Sequence, residues 1–414
     1  MISWLFDFLQ KTTDLPGMGI GEYISFRAAA AIITSLLISI LFGKYIIRFL
    51  KKRQIGEEIR NLGLEGENSK KGTPTMGGII IILAIIIPTL LFGDLSNIYI
   101  QLMLISTIWL GFIGGLDDYI KVFRHRKEGL KGRFKVVGQI GLGIIVGTAM
   151  WQSDDIVVRE KTYETYTHTI TSTDGQVDIY KEKIVKSTGP EIKSTKTSIP
   201  FLKNAEFDYL MITNGNQTIA WLLYILAAIF IITAVSNGAN LTDGLDGLLT
   251  GVSVPVVLVL GILAYLSGHI VYSDYLNIMY IPDSGELVVF AAALAGALIG
   301  FLWYNSHPAQ IFMGDTGSLA IGGIIAVFAL CVRKELLLPL LCGVFVVEVV
   351  SVIMQTSYYK LTRRIYGEPR RILLMSPLHH HYQKLGIKET KIMMRFFIVS
   401  LLLAALTLAT LKIQ

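Results

Sequence analysis

Three aspartates carry the most chemistry in this 414-residue sequence. Asp117 and Asp118 stand side by side in GGLDDYIKVFRHRKEGLKGRFK, and Asp315 lies between Gly314 and Thr316-Gly317 in WYNSHPAQIFMGDTGSLAIGG. Carboxylates followed by a basic run suit a divalent cation and a phosphate. On a helix Asp117 and Asp118 project about 100° apart, and Lys121 lies one turn on from both. One carboxylate is therefore expected to face a metal or a nucleophile while the other holds the lysine. Acids at a helix C-terminus oppose the macrodipole, which argues against a merely solvated helix end. Asp315 precedes an apolar run, where a carboxylate can bind Mg²⁺ while backbone N–H groups at the helix start face phosphate oxygens. Magnesium takes one or two carboxylates and fills its shell with water and phosphate, so a sparse aspartate set suits it better than zinc. The bland alternative for Asp315 is a helix N-cap.

Three further polar clusters interrupt apolar sequence. KKGTPTMGG, Lys70 to Gly78, offers lysines and close-approach backbone for a phosphate or nucleotide; the alternative is an anchor followed by a helix with Thr73 as cap and Pro74 in its first position. SNGANLTDGLDGL places Asp243 and Asp246 three apart, where they would share a helical face, with Asn237 and Asn240 nearby. It lacks the ligand spacing and terminal Glu of an EF-hand. RRILLMSPLHHHYQKLG holds His379, His380 and His381 in a row. Consecutive side chains diverge, so a three-histidine zinc site is not expected, and one or two of them are expected to bind phosphate or stabilise the loop. His125, His168, His269 and His307 lack such a setting and are expected to be incidental.

The elements that must position these groups are membrane spans. The chain is 52% hydrophobic and only 16% charged, against about 25% charged in soluble proteins, and its mean hydropathy is +0.57. Apolar runs such as Ile79–Phe92, Leu287–Trp303 and Leu336–Ile353, the last broken only by Glu348, approach or reach the roughly 17–25 residues that cross a bilayer. The pattern predicts an all-α polytopic membrane protein of ten spans, at about 24–47, 75–92, 98–116, 134–151, 218–235, 248–266, 287–304, 318–332, 336–358 and 396–412. Basic loops after spans one, three and nine are cytoplasmic by the positive-inside rule, which puts the termini outside and every motif loop on one face. The start, MISWLFDFLQ, has no basic n-region and reads as an interfacial helix rather than a signal peptide. The net charge of +6 is explained by these membrane-flanking lysines and arginines, so nucleic acid is not expected as a partner. Cys331 and Cys342 fall in apolar segments and read as packing residues. Residues 152–217 form a polar insert between two blocks of spans, 1–151 and 218–414. Within it Tyr163–Val185 alternates around Asp174-Gly175, predicting a β-hairpin with a type I′ turn.

Together KKGTPTMGG, LDDYIK, NLTDGLDG, NSHPAQIFMGDTGS and SPLHHH resemble the polyprenyl-phosphate N-acetylhexosamine-1-phosphate transferases. The resemblance runs from about Lys44 to the last span, without the insert, and PLHHH with TPTMGG favours the family's muramoyl-pentapeptide branch over its N-acetylglucosamine branch. It implies transfer of phospho-N-acetylmuramoyl-pentapeptide from UDP-MurNAc-pentapeptide to undecaprenyl phosphate, with Mg²⁺ as cofactor. A homodimer in the bacterial inner membrane, with its site on the cytoplasmic face, is also implied. By the same resemblance Asp315 and Asp117 are metal ligands, and Asp117 and Asp118 orient or deprotonate the lipid phosphate. Lys70, Thr75, Asn240, Asp243, Asp246, Asn305 and Phe312 line the nucleotide and sugar region, with Phe312 suited to stack on uracil. Lys121, Lys135 and His379 meet phosphate or peptide, His379 as a catalytic group, and His380 and His381 bind substrate. Two departures stand out: Gln383 replaces a glutamate common in the family, and the insert is absent from the usual pattern. A different class, a cation-coupled secondary transporter, would use the same acids as ion sites, but no inverted repeat supports it.

Overall fold

In hydrocarbon a backbone has no hydrogen-bond partner but itself, so each long run of Ile, Leu, Val and Ala closes into a helix. The computed structural model describes residues 18–52, 72–124, 129–171, 177–187, 189–201 and 206–411. The bundle consists of α1 (Ile24–Lys52), α2 (Gly78–Phe92), α3 (Ile98–Phe123), α4 (Gly132–Gln152), α6 (Gln217–Thr242), α7 (Leu248–Ser267), α9 (Leu287–Asn305), α10 (Gly314–Cys331), α12 (Gly343–Tyr366) and α14 (Glu389–Thr410). Shorter helices are α5 (Tyr209–Ile212), α8 (Ile270–Leu276), α11 (Leu338–Leu341) and α13 (Leu378–Lys384). Among the described residues nine helices are long and apolar enough to cross a membrane, and α2, at 15 residues, is a shorter apolar one. The protein is thus an all-α polytopic membrane protein. The expected N-terminal interfacial helix falls largely on residues outside the described ones.

Every expected span contains a helix, and the differences lie at the ends. The third and sixth helices run on to Phe123 and Thr242, so Asp117, Asp118, Lys121 and Asn240 are helical. Helix α12, in the ninth expected span from residue 336, starts at Gly343. Pro339 lacks a donor and occupies the first turn of α11, and the chain turns at Cys342 before the long helix begins.

Helix α10 is the axis of the bundle, buried at every residue from Thr316 to Cys331. It packs on α3 and α6, while α9 packs on α1 and α7, and α4 on α6. Its N-terminus is pressed between α2 and α3, where a Cβ at Gly78 would collide with Gly317 and one at Gly114 with the Asp315 backbone. That contact lets the last turns of α3 meet the first turn of α10. Cys331 and Cys342 are buried and free.

The insert closes the opposite end of α10. Its described residues form three two-stranded antiparallel sheets: β1 (Val158–Arg159) with β4 (Glu191–Ile192), β2 (Thr162–Thr171) with β3 (Val177–Lys186), and β5 (Thr197–Ser198) with β6 (Glu206–Phe207). The expected hairpin is the second of these, in register from Thr162↔Lys186 to Thr171↔Val177. Its Asp174-Gly175 turn lies outside the described residues. The Ser198 N–H bonds the Arg333 carbonyl at 3.2 Å and the Arg159 N–H the Tyr280 carbonyl at 3.1 Å, tying the insert to the bundle.

Candidate active site

Four helices bring their polar ends to one point. Lys121, one turn after Asp117 on α3, places Nζ 2.6 Å from Asp117 Oδ2 and 3.0 Å from Asp315 Oδ2. Lys135, from the first turn of α4, is 3.0 Å from Asp117 Oδ1 and also pairs with Asp315. Asn240 of α6 donates from Nδ2 to Asp315 Oδ1 at 2.9 Å and to Ser318 Oγ at 2.8 Å. The Leu130 N–H reaches Asp117 Oδ1 at 2.6 Å. The Asp117 side chain is fully buried, whereas those of Lys121, Lys135 and Asp315 are 35%, 16% and 14% exposed, so the cluster opens on its lysine side.

Asp118 has a different task from the one its sequence position suggests. Its Oδ1 accepts the Asp315 N–H at 3.0 Å, and its Oδ2 accepts the Thr316 N–H at 2.9 Å and the Thr316 hydroxyl at 2.6 Å. The N–H groups expected to face phosphate are therefore capped by a carboxylate from α3, and Asp118 is committed to holding α10. Both roles expected to be divided within the pair, facing the reaction centre and holding a lysine, fall to Asp117. Gly314, at φ +72°, makes room: a Cβ there would lie 2.5 Å from Asp118 Oδ2 and 3.0 Å from Thr75 Oγ1.

Thr75 is buried beside this cap. The two segments around it zip together, the Phe312 N–H on the Pro74 carbonyl at 2.8 Å and the Gly77 N–H on the Phe312 carbonyl at 2.9 Å. This strand-like pairing replaces the alternative of Thr73 and Pro74 as a helix start; α2 begins at Gly78. Phe312 remains half-buried. Lys70 and His125 lie outside the described residues.

A second polar cluster surrounds the α6–α7 turn. Asp243 and Asp246 do not share a helical face, because α6 stops at Thr242 and the turn closes through Gly247 at φ +72°. Asp243 is half-buried at the helix end. Asp246 is buried and its Oδ2 meets His307 Nδ1 at 2.9 Å and the Ala309 N–H at 3.2 Å. His307, expected to be incidental, is thus bound to a candidate site residue; its place two residues after Asn305 in NSHPAQ was the available signal. Asn305 is buried with both ends of its amide engaged, Oδ1 by the Gly247 N–H and the Thr250 hydroxyl and Nδ2 on the Ile311 carbonyl. Asn305, expected at the substrate, thus also braces the α6–α7 turn against the stretch after α9.

The histidine run diverges as its geometry requires. His379 Nδ1 is 3.1 Å from Glu348 Oε2, both side chains fully buried, and its Nε2 lies where a Cβ at Gly244 would stand. The ring of His379, expected to be catalytic, is buried between Glu348 and the Gly244 backbone of the α6–α7 turn. Glu348 was visible as the one charge in its apolar run. His380 Nδ1 meets Gln383 Oε1 at 2.6 Å, and His381 Nδ1 accepts the Leu374 N–H at 3.1 Å.

Among the described residues two groups could hold a cation: Asp117, Asp118 and Asp315, and Asp246, His307 and Glu389, each with ligand atoms mutually within 4.8 Å. The first is an all-oxygen set and suits Mg²⁺. The Asp117 and Asp315 carboxylates, drawn together by Lys121 and Lys135, are the oxygen ligands that would hold it.

Residues 184–333 match the family model Glycosyl transferase family 4. Residues 70–82 match Phospho-N-acetylmuramoyl-pentapeptide-transferase signature 1. The chain is 54% identical to the phospho-N-acetylmuramoyl-pentapeptide-transferases of Flavobacterium psychrophilum and Flavobacterium johnsoniae and 52% identical to that of Parabacteroides distasonis. Each match covers 100% of both chains and so takes in the insert, residues 152–217.

Proposed function

The chain belongs to the phospho-N-acetylmuramoyl-pentapeptide-transferase family, and from that premise we propose that the Asp117–Asp315 cluster is where undecaprenyl phosphate attacks UDP-MurNAc-pentapeptide. The family's activity in peptidoglycan synthesis is the activity of this chain. The observation that carries the placement is the bridging of Asp117 and Asp315, on separate helices, by the same two lysines.

A phosphate oxygen of the lipid forms a bond to the sugar-bound phosphorus of the donor. The bond from that phosphorus to its bridging oxygen breaks, and UMP leaves with that oxygen and the electron pair. Such a transfer depends on positioning and charge neutralisation. Lys121 and Lys135 present ammonium groups to the phosphate oxygens, and Asp117, held by both, orients the attacking lipid phosphate. Asp117 and Asp315 would hold Mg²⁺, which supplies further neutralisation of phosphate charge. Asp118 keeps Asp315 in place through the α10 N-terminus. Thr75, Asn240, Asp243, Asp246 and Phe312 form the donor side, Phe312 with a half-buried ring suited to stack on uracil, and His380 and His381 border it. The cluster lies on the side of the basic loops, which supports a cytoplasmic site in a bacterial inner membrane.

Purified protein in detergent, given undecaprenyl phosphate and each nucleotide sugar in turn, tests the reading. UMP is expected only with UDP-MurNAc-pentapeptide; product only with UDP-N-acetylglucosamine would overturn it. Chelation should stop turnover and Mg²⁺ restore it, and turnover that survives chelation removes the metal. Cysteines at Arg124 and Glu191 should label from opposite sides of the membrane. Light scattering in detergent tests the homodimer that the family resemblance implies.

A further inference from the structure

We propose that His307 is a positioning residue for donor binding: its Nδ1 fixes the Asp246 carboxylate and couples it, through Glu389 and Gln383, to the histidine helix α13. The inference rests on the reading of Asp246 as a donor contact.

The hydrogen bonds have a readable direction. His307 Nδ1 stands 2.9 Å from Asp246 Oδ2 and 3.5 Å from Glu389 Oε2. A ring nitrogen facing two carboxylates must carry the proton, so Nδ1 is the donor. The Ala309 N–H reaches the same Asp246 oxygen at 3.2 Å, and two donors on one oxygen fix the rotation of a carboxylate that is almost wholly buried. On the far side of Glu389, Gln383 Nε2 donates to Oε1 at 2.7 Å. Gln383 Oε1 can only accept, so His380 Nδ1 donates to it at 2.6 Å.

This chain of bonds gives a reason for the amide at position 383. A glutamine accepts from His380 and donates to Glu389 at once, whereas a glutamate would set a second carboxylate against Glu389. Three segments that meet at the donor side are thereby linked: the α6–α7 turn, the stretch after α9, and the α13–α14 connection. The charge-assisted bond to Asp246 lies at the centre of the link.

Steady-state kinetics on the full-length protein in detergent, with both substrates varied, tests the proposal. His307→Gln, whose amide nitrogen mimics Nε2, is expected to raise the KM for UDP-MurNAc-pentapeptide about tenfold while leaving kcat and the KM for undecaprenyl phosphate near wild type. His307→Asn, whose nitrogen mimics Nδ1, restores the donor KM to within about threefold of wild type. Gln383→Glu shifts the donor KM in the same direction by a few-fold. Equal impairment of the Asn and Gln variants, or a fall in kcat with both KM values unchanged, overturns the proposal. An unchanged donor KM in Gln383→Glu overturns the extension to α13. Asp246→Asn separates the two layers of argument. If it leaves the donor KM unaltered, the reading of Asp246 as a donor contact fails; if it raises the donor KM and His307→Gln does not, the positioning inference alone fails.

Discussion

The two ends of α10 both hold buried charge, and they hold it differently. Before the N-terminal end, Asp117, Asp315, Lys121 and Lys135 pair across three helices, with the lysines and Asp315 partly open to the outside. After the C-terminal end come Arg333, Lys334 and Glu335, each 1–2% exposed. There the Arg333 guanidinium lies over the rings of Tyr224 and Trp221, at 4.9 and 5.9 Å. Lys334 Nζ donates to the Ser198 hydroxyl of the insert at 2.7 Å, and the Glu335 carboxylate is buried in the same turn. Burial pushes the Lys334 ammonium down to about 7 and the Glu335 carboxyl up to about 7. Acids at the start and bases just past the end both suit the helix dipole, so the dipole does not distinguish the clusters. Pairing and access do. Charges that are mutually neutralised yet reachable can exchange partners with a phosphate, whereas charges sealed singly under an insert serve to seat it.

The largest effect should come from breaking the paired end. Asp117→Asn or Asp315→Asn is expected to lower kcat for UMP release by about a thousandfold or more, the scale of losing a central electrostatic group. Glu335→Gln, at the sealed end, should leave kcat within about twofold. Comparable losses at both ends would break the distinction drawn here.

A smaller effect separates the two adjacent aspartates. Asp118 caps α10 with three accepted bonds, so Asp118→Ala should cost about 2 kcal/mol of stability and Asp118→Asn, which can still cap, clearly less. Thermal unfolding in detergent measures both. If the Ala and Asn variants melt together, the cap is not what Asp118 contributes.

The ten helices were legible because hydrocarbon permits one local solution for an apolar run, and a period of 3.6 put Lys121 over Asp117 without further information. The hairpin was legible from its alternation. What depended on partners distant in sequence was not. Asp118 meets its acceptor-seeking N–H groups 197 and 198 residues away, and nothing in LDDYIK says which carboxylate finds them. His307 looked solitary because Asp246 and Glu389 approach it from other segments, and the burial of His379 against Glu348 is likewise a tertiary fact. The start of α12 was misplaced since hydropathy is continuous through Pro339 while the backbone is not. The seating of the insert on Arg333 and Lys334 left no periodic trace at all.

The smallest effect is a pH dependence confined to the sealed end. Glu335 has its ordinary value of 4.5 when released and about 7 when buried. Its contribution is therefore full below 4.5 and lost as the pH rises through 7. Lys334 runs the other way: with 10.5 on release and about 7 when buried, its contribution is full above 10.5 and lost as the pH falls through 7. The insert should accordingly be held most weakly near pH 7. Hydrogen exchange at the Ser198 amide, which bonds the Arg333 carbonyl, reports this once intrinsic exchange is corrected for, with a protection minimum near neutrality. Glu335→Gln should flatten the acid limb and Lys334→Met the alkaline limb, with turnover at fixed pH unaffected by either. A protection maximum near neutrality instead would mean that the two groups are both charged there and neutralise each other as a pair. The sealed end would then share the pairing that now sets the reactive end apart, and access alone would distinguish them.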